Sequence, residues 1–133
     1  MNYNHITNAY QNAERQALSE MTDPHLIVLT MLNALLKSMQ LFEENINLGS
    51  GGDPEIKSKH FARALTIIYA LQSSLDFEKG ESIATNLFQL YEFARLQLIA
   101  DLTKGEADGT LKAIQLLGEI RDAWQTIGSE IKE

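Results

Sequence analysis

Apolar and polar residues recur along this chain at spacings of three and four, the period of an α-helix, and no stretch shows the strict alternation of a half-buried strand. Between Pro24 and Glu44 the pattern is lopsided. At about 100° per residue, Thr30, Asn33, Lys37, Gln40 and Glu44 fall on one narrow polar stripe, and the residues from Leu26 to Met39 fill most of the remaining circumference. A helix facing a single core needs roughly a third of its circumference apolar, so more than an ordinary core must cover this one. The cover is a flanking segment, a second copy or a partner chain, and each of these implies binding rather than chemistry.

Helix boundaries are marked by capping and breaking residues. Asp23-Pro24 and Asp53-Pro54 each set a capping carboxylate before a proline, whose missing N–H is harmless in a first turn. The first helix is expected to end near Asn47, where Gly49-Ser50-Gly51-Gly52 reads as a flexible connector. A second helix is predicted from Pro54 to Leu75, with Ile56, Phe61, Ala64, Leu65, Ile67, Ile68, Leu71 and Leu75 facing the core. Gly80 marks a turn, and a third helix from Glu81 to Gly105 turns Ile83, Leu87, Leu90, Tyr91, Ala94, Leu98 and Leu102 inward. Phe88, Phe93, Leu96 and Ile99 sit on its opposite side, a second apolar surplus. The fourth helix, about Ala107 to Ile131, directs Leu111, Ile114, Leu117, Ile120, Trp124, Ile127 and Ile131 inward. Short connections make neighbouring helices antiparallel, so the expected fold is all-α: an up-down four-helix bundle over residues 24–131. A leader over residues 1–22, with Tyr3, Ile6, Tyr10, Ala13 and Ala17 at helical spacing, forms a short helical or extended cap within the same single domain.

Composition narrows the function. A net charge of −7 argues against a nucleic-acid partner. The absence of cysteine removes disulfides and thiolate metal sites and leaves the cytoplasm as the default location. Met1-Asn2-Tyr3-Asn4-His5 does not open a secretory signal. The run from Leu26 to Phe42, interrupted by Thr30, Asn33, Lys37, Ser38 and Gln40, is a poor membrane span. A metal-bearing bundle would need Glu-x-x-His pairs, but the residues three before His5, His25 and His60 are Asn2, Thr22 and Lys57. No Gly-Lys-Ser/Thr follows the glycine run, and no strand precedes it, as a phosphate cradle requires. Ser73 and Ser74 have no histidine in a recognisable nucleophile motif, and Glu78-Lys79-Gly80-Glu81 reads as a solvated turn. The chain is therefore expected to be neither an enzyme nor a cofactor carrier.

The segment Ser74-Leu75-Asp76-Phe77-Glu78-Lys79-Gly80-Glu81-Ser82-Ile83-Ala84-Thr85-Asn86-Leu87, continuing to Leu90-Tyr91-Glu92-Phe93, closely resembles the turn and helix signature of the FliS family of flagellar export chaperones. The Ile6 to Tyr10 leader, Thr22-Asp23-Pro24-His25 and Arg121-Asp122-Ala123-Trp124 agree in the same order, so the resemblance spans nearly the whole chain. It departs at Asp23, where the family usually has serine, at Glu81, where a second glycine is common, and at Phe88 and Leu96, which are more apolar than expected. The resemblance implies a cytoplasmic bundle that binds the disordered C-terminal segment of flagellin and holds it unpolymerised until type III export. It further implies that Ile6 and Tyr10 form a displaceable cap that also docks at the export gate, with Leu26, Ile27, Asn86, Leu87, Tyr91 and Phe93 contributing to the guest groove. Leu87 and Tyr91 also project toward the core, and the Asn86 amide is able to hydrogen-bond a guest backbone. The alternatives are a homodimer and an adaptor bundle for another regulator, such as an anti-sigma factor.

Overall fold

The computed structural model describes residues 23–131, with side chains described to residue 128. The leader, and with it Ile6 and Tyr10, lies outside the described residues. Within them there are four helices and no strand: α1 (Pro24–Asn45), α2 (Pro54–Ser73), α3 (Phe77–Lys104) and α4 (Asp108–Ile131). Helix α1 packs against α2 and α4, and α3 closes the ring from the opposite corner by packing against the same two helices. This is the up-down neighbour order that short connections dictate.

An aspartate satisfies the orphan amides at the start of every helix. Asp23 accepts from the amide of His25 at 3.0 Å, Asp53 from Glu55 and Ile56, and Asp76 from Glu78 and Lys79, both at 3.0 Å. The fourth cap comes from a different helix. Asp101, buried near the end of α3, accepts from the amide of Thr110 in the first turn of α4 at 2.7 Å. Its own carbonyl accepts from the amides of Gly105 and Glu106, with Gly105 in the left-handed region at φ 71°. One residue thus ends α3 and starts α4.

The core runs through Leu32, Leu35, Met39 and Phe42 of α1, Ala64, Ile68 and Leu71 of α2, Tyr91, Ala94 and Leu98 of α3, and Ala113 and Leu117 of α4. Burying each large aliphatic or aromatic side chain here contributes about 1.5–3 kcal/mol. Helix α1 is long and apolar enough, by length and composition, to cross a membrane, and its Leu32, Leu35, Met39 and Phe42 are packed into this core.

Four residues expected in the core are exposed: Ile56, Ile83, Leu111 and Ile127. Ile56 lies in the first turn of α2, beyond the end of the packed layer. On α4 the fully buried line is Thr110, Ala113, Leu117 and Gly128, and the expected Ile114, Ile120 and Trp124 pack against the core beside it. The small residues on that line let the helices approach closely at either side of Leu117, which leaves Leu111 and Ile127 outside. The glycine connector also differs from its expected flexibility. Leu48–Ser50 form a 3₁₀ turn, Gly51 adopts φ 93°, and the amide of Gly52 donates to the carbonyl of Asn47 at 3.1 Å. The amide of Asp53 donates to the Asn45 side chain at 3.0 Å, so the connector is a built turn.

Candidate partner-binding groove

At the end of the bundle where α1 begins, α4 finishes and α2 turns into α3, the helices part and leave a groove of about 370 Å³. Its walls come from all four. Val28 and Leu32 belong to α1, Leu71 to α2, Ser74, Leu75 and Asp76 to the following turn, Lys79, Gly80, Ile83, Ala84, Leu87 and Tyr91 to α3, and Ile120 and Trp124 to α4. The lining is mainly apolar, with Ser74, Asp76 and Lys79 at one side.

Two local devices hold it open. The first is a break in α3. Asp76 caps a single turn over 77–80, after which Glu81 takes φ 48° and ψ −125°, and the helix resumes in a new phase. For a non-glycine residue that conformation costs on the order of 1–3 kcal/mol. Within the resumed helix the core line is Ala84, Leu87, Tyr91, Ala94 and Leu98, so Ile83, one position off it, stands 69% exposed on the groove's rim instead of facing the core. Phe77, displaced by the same break, packs edge-on against Phe88 at 5.9 Å.

The second device ties α1 to α4. The rings of His25 and Trp124 stack at 4.7 Å and 7°. Trp124 Nε1–H donates to the His25 carbonyl at 2.9 Å, and His25 Nε2 pairs with the Trp124 carbonyl. A carbonyl only accepts, so Nε2 carries the proton. Gly128 sits flush against the imidazole, and a Cβ there would overlap the ring. The indole is thereby fixed as a wall with its edge satisfied and its face toward apolar neighbours.

The sequence-predicted residues distribute unevenly around this groove. Leu87 and Tyr91 line it. Tyr91 is buried, which raises its phenol pKa, and its hydroxyl makes no hydrogen bond to a described residue. Leu26 and Ile27 are half-buried on the first turn of α1 beside the groove but not in its lining. Asn86 is exposed on α3 outside it. Phe93 packs against the core, whereas the other members of that surplus, Phe88, Leu96 and Ile99, are exposed along α3. Sequence reasoning did not single out Val28, Leu32, Leu75, Ile120 or Trp124 as a common wall, because they converge from three elements. Two signals pointed toward it: Trp124 is the chain's one tryptophan, and the turn from Ser74 to Gly80 carries the family signature.

The described residues thus form an all-α bundle with an apolar groove open at one end. Comparison with known proteins gives the family. The profile of the family described as "Flagellar protein FliS" matches residues 6–131. The flagellar secretion chaperone FliS of Vibrio cholerae is 30% identical over 92% of this chain and 88% of its own length. Its counterpart in Salmonella typhimurium is 29% identical over 90% and 87%, and the flagellar secretion chaperone FliSB of Pseudomonas aeruginosa 26% over 89% and 91%. The chain belongs to the FliS family, which places it among flagellar secretion chaperones and outside the enzymes.

Proposed function

We propose that this chain binds the disordered C-terminal segment of flagellin in the cytoplasm, keeps it from polymerising, and delivers it to the flagellar type III export apparatus. The observation that carries this reading is the apolar groove of about 370 Å³, held open by the Glu81 break and the His25–Trp124 pair in a family of secretion chaperones. A groove of that size takes only a few side chains. Coupled folding of a disordered guest buries about 1,000–3,000 Å² and spends about 2–5 kcal/mol on ordering. The guest therefore extends beyond the groove, and Phe77, Phe88, Leu96 and Ile99 on α3 supply the further apolar surface. Within the groove, Leu87 and Tyr91 meet the guest directly, and the Tyr91 hydroxyl donates to a guest carbonyl. Leu26, Ile27, Asn86 and Phe93 act at the margins, where the guest runs past the first turn of α1 and along α3. Residues 1–22 lead into α1 one turn before Val28, so Ile6 and Tyr10 are connected closely enough to cover the groove until the guest displaces them and frees the leader for the export gate.

Calorimetric titration with the C-terminal segment of a flagellin from the same source tests the proposal. Expected is 1:1 binding with a large negative heat-capacity change, abolished by Ile83→Asp. That residue is so exposed that stability should move by no more than about 0.5 kcal/mol. Absence of binding by the folded protein would overturn the proposal. Phe93→Asp separates margin from core: loss of binding at an unchanged Tm places it at the guest surface, and loss of folding confines it to the core.

A further inference from the structure

A second groove, of about 330 Å³, runs along the outside of the α1–α4 seam, and no residue lines both. Its floor is Leu36, Ile114 and Gly118, and its rim is Asn33, Lys37, Gln40 and Arg121. The Gly118 backbone opens it, because a Cβ there would meet nothing within 4 Å. Both charges on the rim are positive. Arg121 donates to Asn33 at 2.8 Å and pairs with the exposed Asp122 at 2.7 Å, whereas Lys37 makes no ion pair among the described residues. The cationic surface continues onto α2. His60, hydrogen-bonded to Ser38 at 3.3 Å, has its pKa lowered by burial and by the nearby charges of Lys59, Arg63 and Lys37. On a chain of net charge −7, Lys37, Lys59 and Arg63 thus gather positive charge beside this second groove.

We propose that the outer α1–α4 groove is a docking site for an acidic, amphipathic segment of a second protein partner. Carboxylates on the segment pair with Lys37 and Arg121, the amides of Asn33 and Gln40 meet its polar groups, and an apolar residue between the carboxylates rests on Leu36, Ile114 and Gly118. A nucleic acid or anionic membrane fits poorly, because either would extend past the patch into the field of the remaining negative charge. A second copy brings its full −7, whereas a short segment brings only its own carboxylates. The proposal does not rest on the identity of the groove's guest.

The test is titration of the isotope-labelled full chain with a capped helical peptide that presents glutamates at i and i+4 on either side of a leucine. Expected are saturable amide shifts at Asn33, Lys37, Gln40, Gly118 and Arg121, an undisturbed Trp124 indole, weakening as salt rises, and a loss of roughly tenfold in affinity in Lys37→Glu. Lys37 is exposed and makes no ion pair among the described residues, so the variant should fold, and circular dichroism verifies that it does. Arg63→Glu, farther from the groove, should weaken binding less. The proposal is overturned by an absence of shifts, by equal binding of the glutamine-for-glutamate peptide, or by equal binding of a single-stranded oligonucleotide. Concentration-dependent dimerisation abolished by Lys37→Glu would make the occupant a second copy and overturn it as well.

Discussion

The α1–α2 hairpin and the α2–α3 hairpin use the same ingredients with opposite results. Both join long amphipathic helices through a short connection capped by an aspartate. The first closes: the tilted rings of Phe42 and Phe61 pack at 5.5 Å, Ser38 meets His60, and the connector is held by its own hydrogen bonds. The second is the thinnest of the main seams and opens into the groove. Apolar content does not separate them, since α3 has more large hydrophobics than it buries. Residue size on the core line does. The core line of α3 begins with Ala84 and runs on through Leu87, Tyr91, Ala94 and Leu98, so a small contact stands where the helices would otherwise meet, while Ile83, one position off the line, points away. A groove in a bundle is thus made by turning residues away as well as by omitting them.

This contrast can be attacked from either side. The largest effect is expected in the closed hairpin, where Phe42→Ala should cost about 3–5 kcal/mol in chemical denaturation because the side chain is fully buried. Guest affinity of the fraction that stays folded should be unchanged, and a matching loss of affinity would mean that the two regions are not separable. Next is the tie that builds the groove wall. Gly128→Val drives a side chain into His25 and should destabilise by about 1–3 kcal/mol. Trp124 emission should shift to the red as its stacking partner leaves.

Removing the shared cap with Asp101→Ala should cost about 1–3 kcal/mol by stranding the amide of Thr110. Native-state hydrogen exchange should report the opening at the α3–α4 connection first. Glu81→Gly reverses the sign. Glycine accepts φ 48° without strain, so the variant should be more stable by about 1 kcal/mol, net of the unfolded-state entropy that glycine adds. If it is less stable, the break is not a strained element and the account of the groove's opening fails.

The smallest effect lies on the α2–α3 seam. Glu92 accepts from Arg95 at 2.8 and 2.6 Å and from Gln72 of α2 at 3.3 Å. The Arg95 hydrogen bonds, followed by that from Gln72, lower its pKa to about 2. A carboxylate whose folded pKa is depressed contributes stability above its unfolded pKa, and that contribution is lost as pH falls toward the folded value. A modest loss is therefore expected between about pH 4.5 and 2, small because the pair is solvated. Gln72→Ala should shrink it, and a carboxyl NMR titration of Glu92 measures it directly.

Composition, helical periodicity and aspartate caps were enough to set the number, order and approximate limits of the helices, because those depend on neighbours within one turn. They also exposed the apolar excess on α1 and α3, and the turn signature from Ser74 to Gly80 carried the family. Tertiary structure decided the phase of each helix in the core. Thr110, Ala113 and Gly128, invisible to a search for large hydrophobics, define the α4 seam because close approach selects small residues. It also decided that Asp101 caps a helix other than its own, and that Val28, Leu75, Ile120 and Trp124 share one wall with Leu87 and Tyr91. Periodicity measures only the angle of a residue about its own helix axis, whereas a groove is set by how several axes lie against one another.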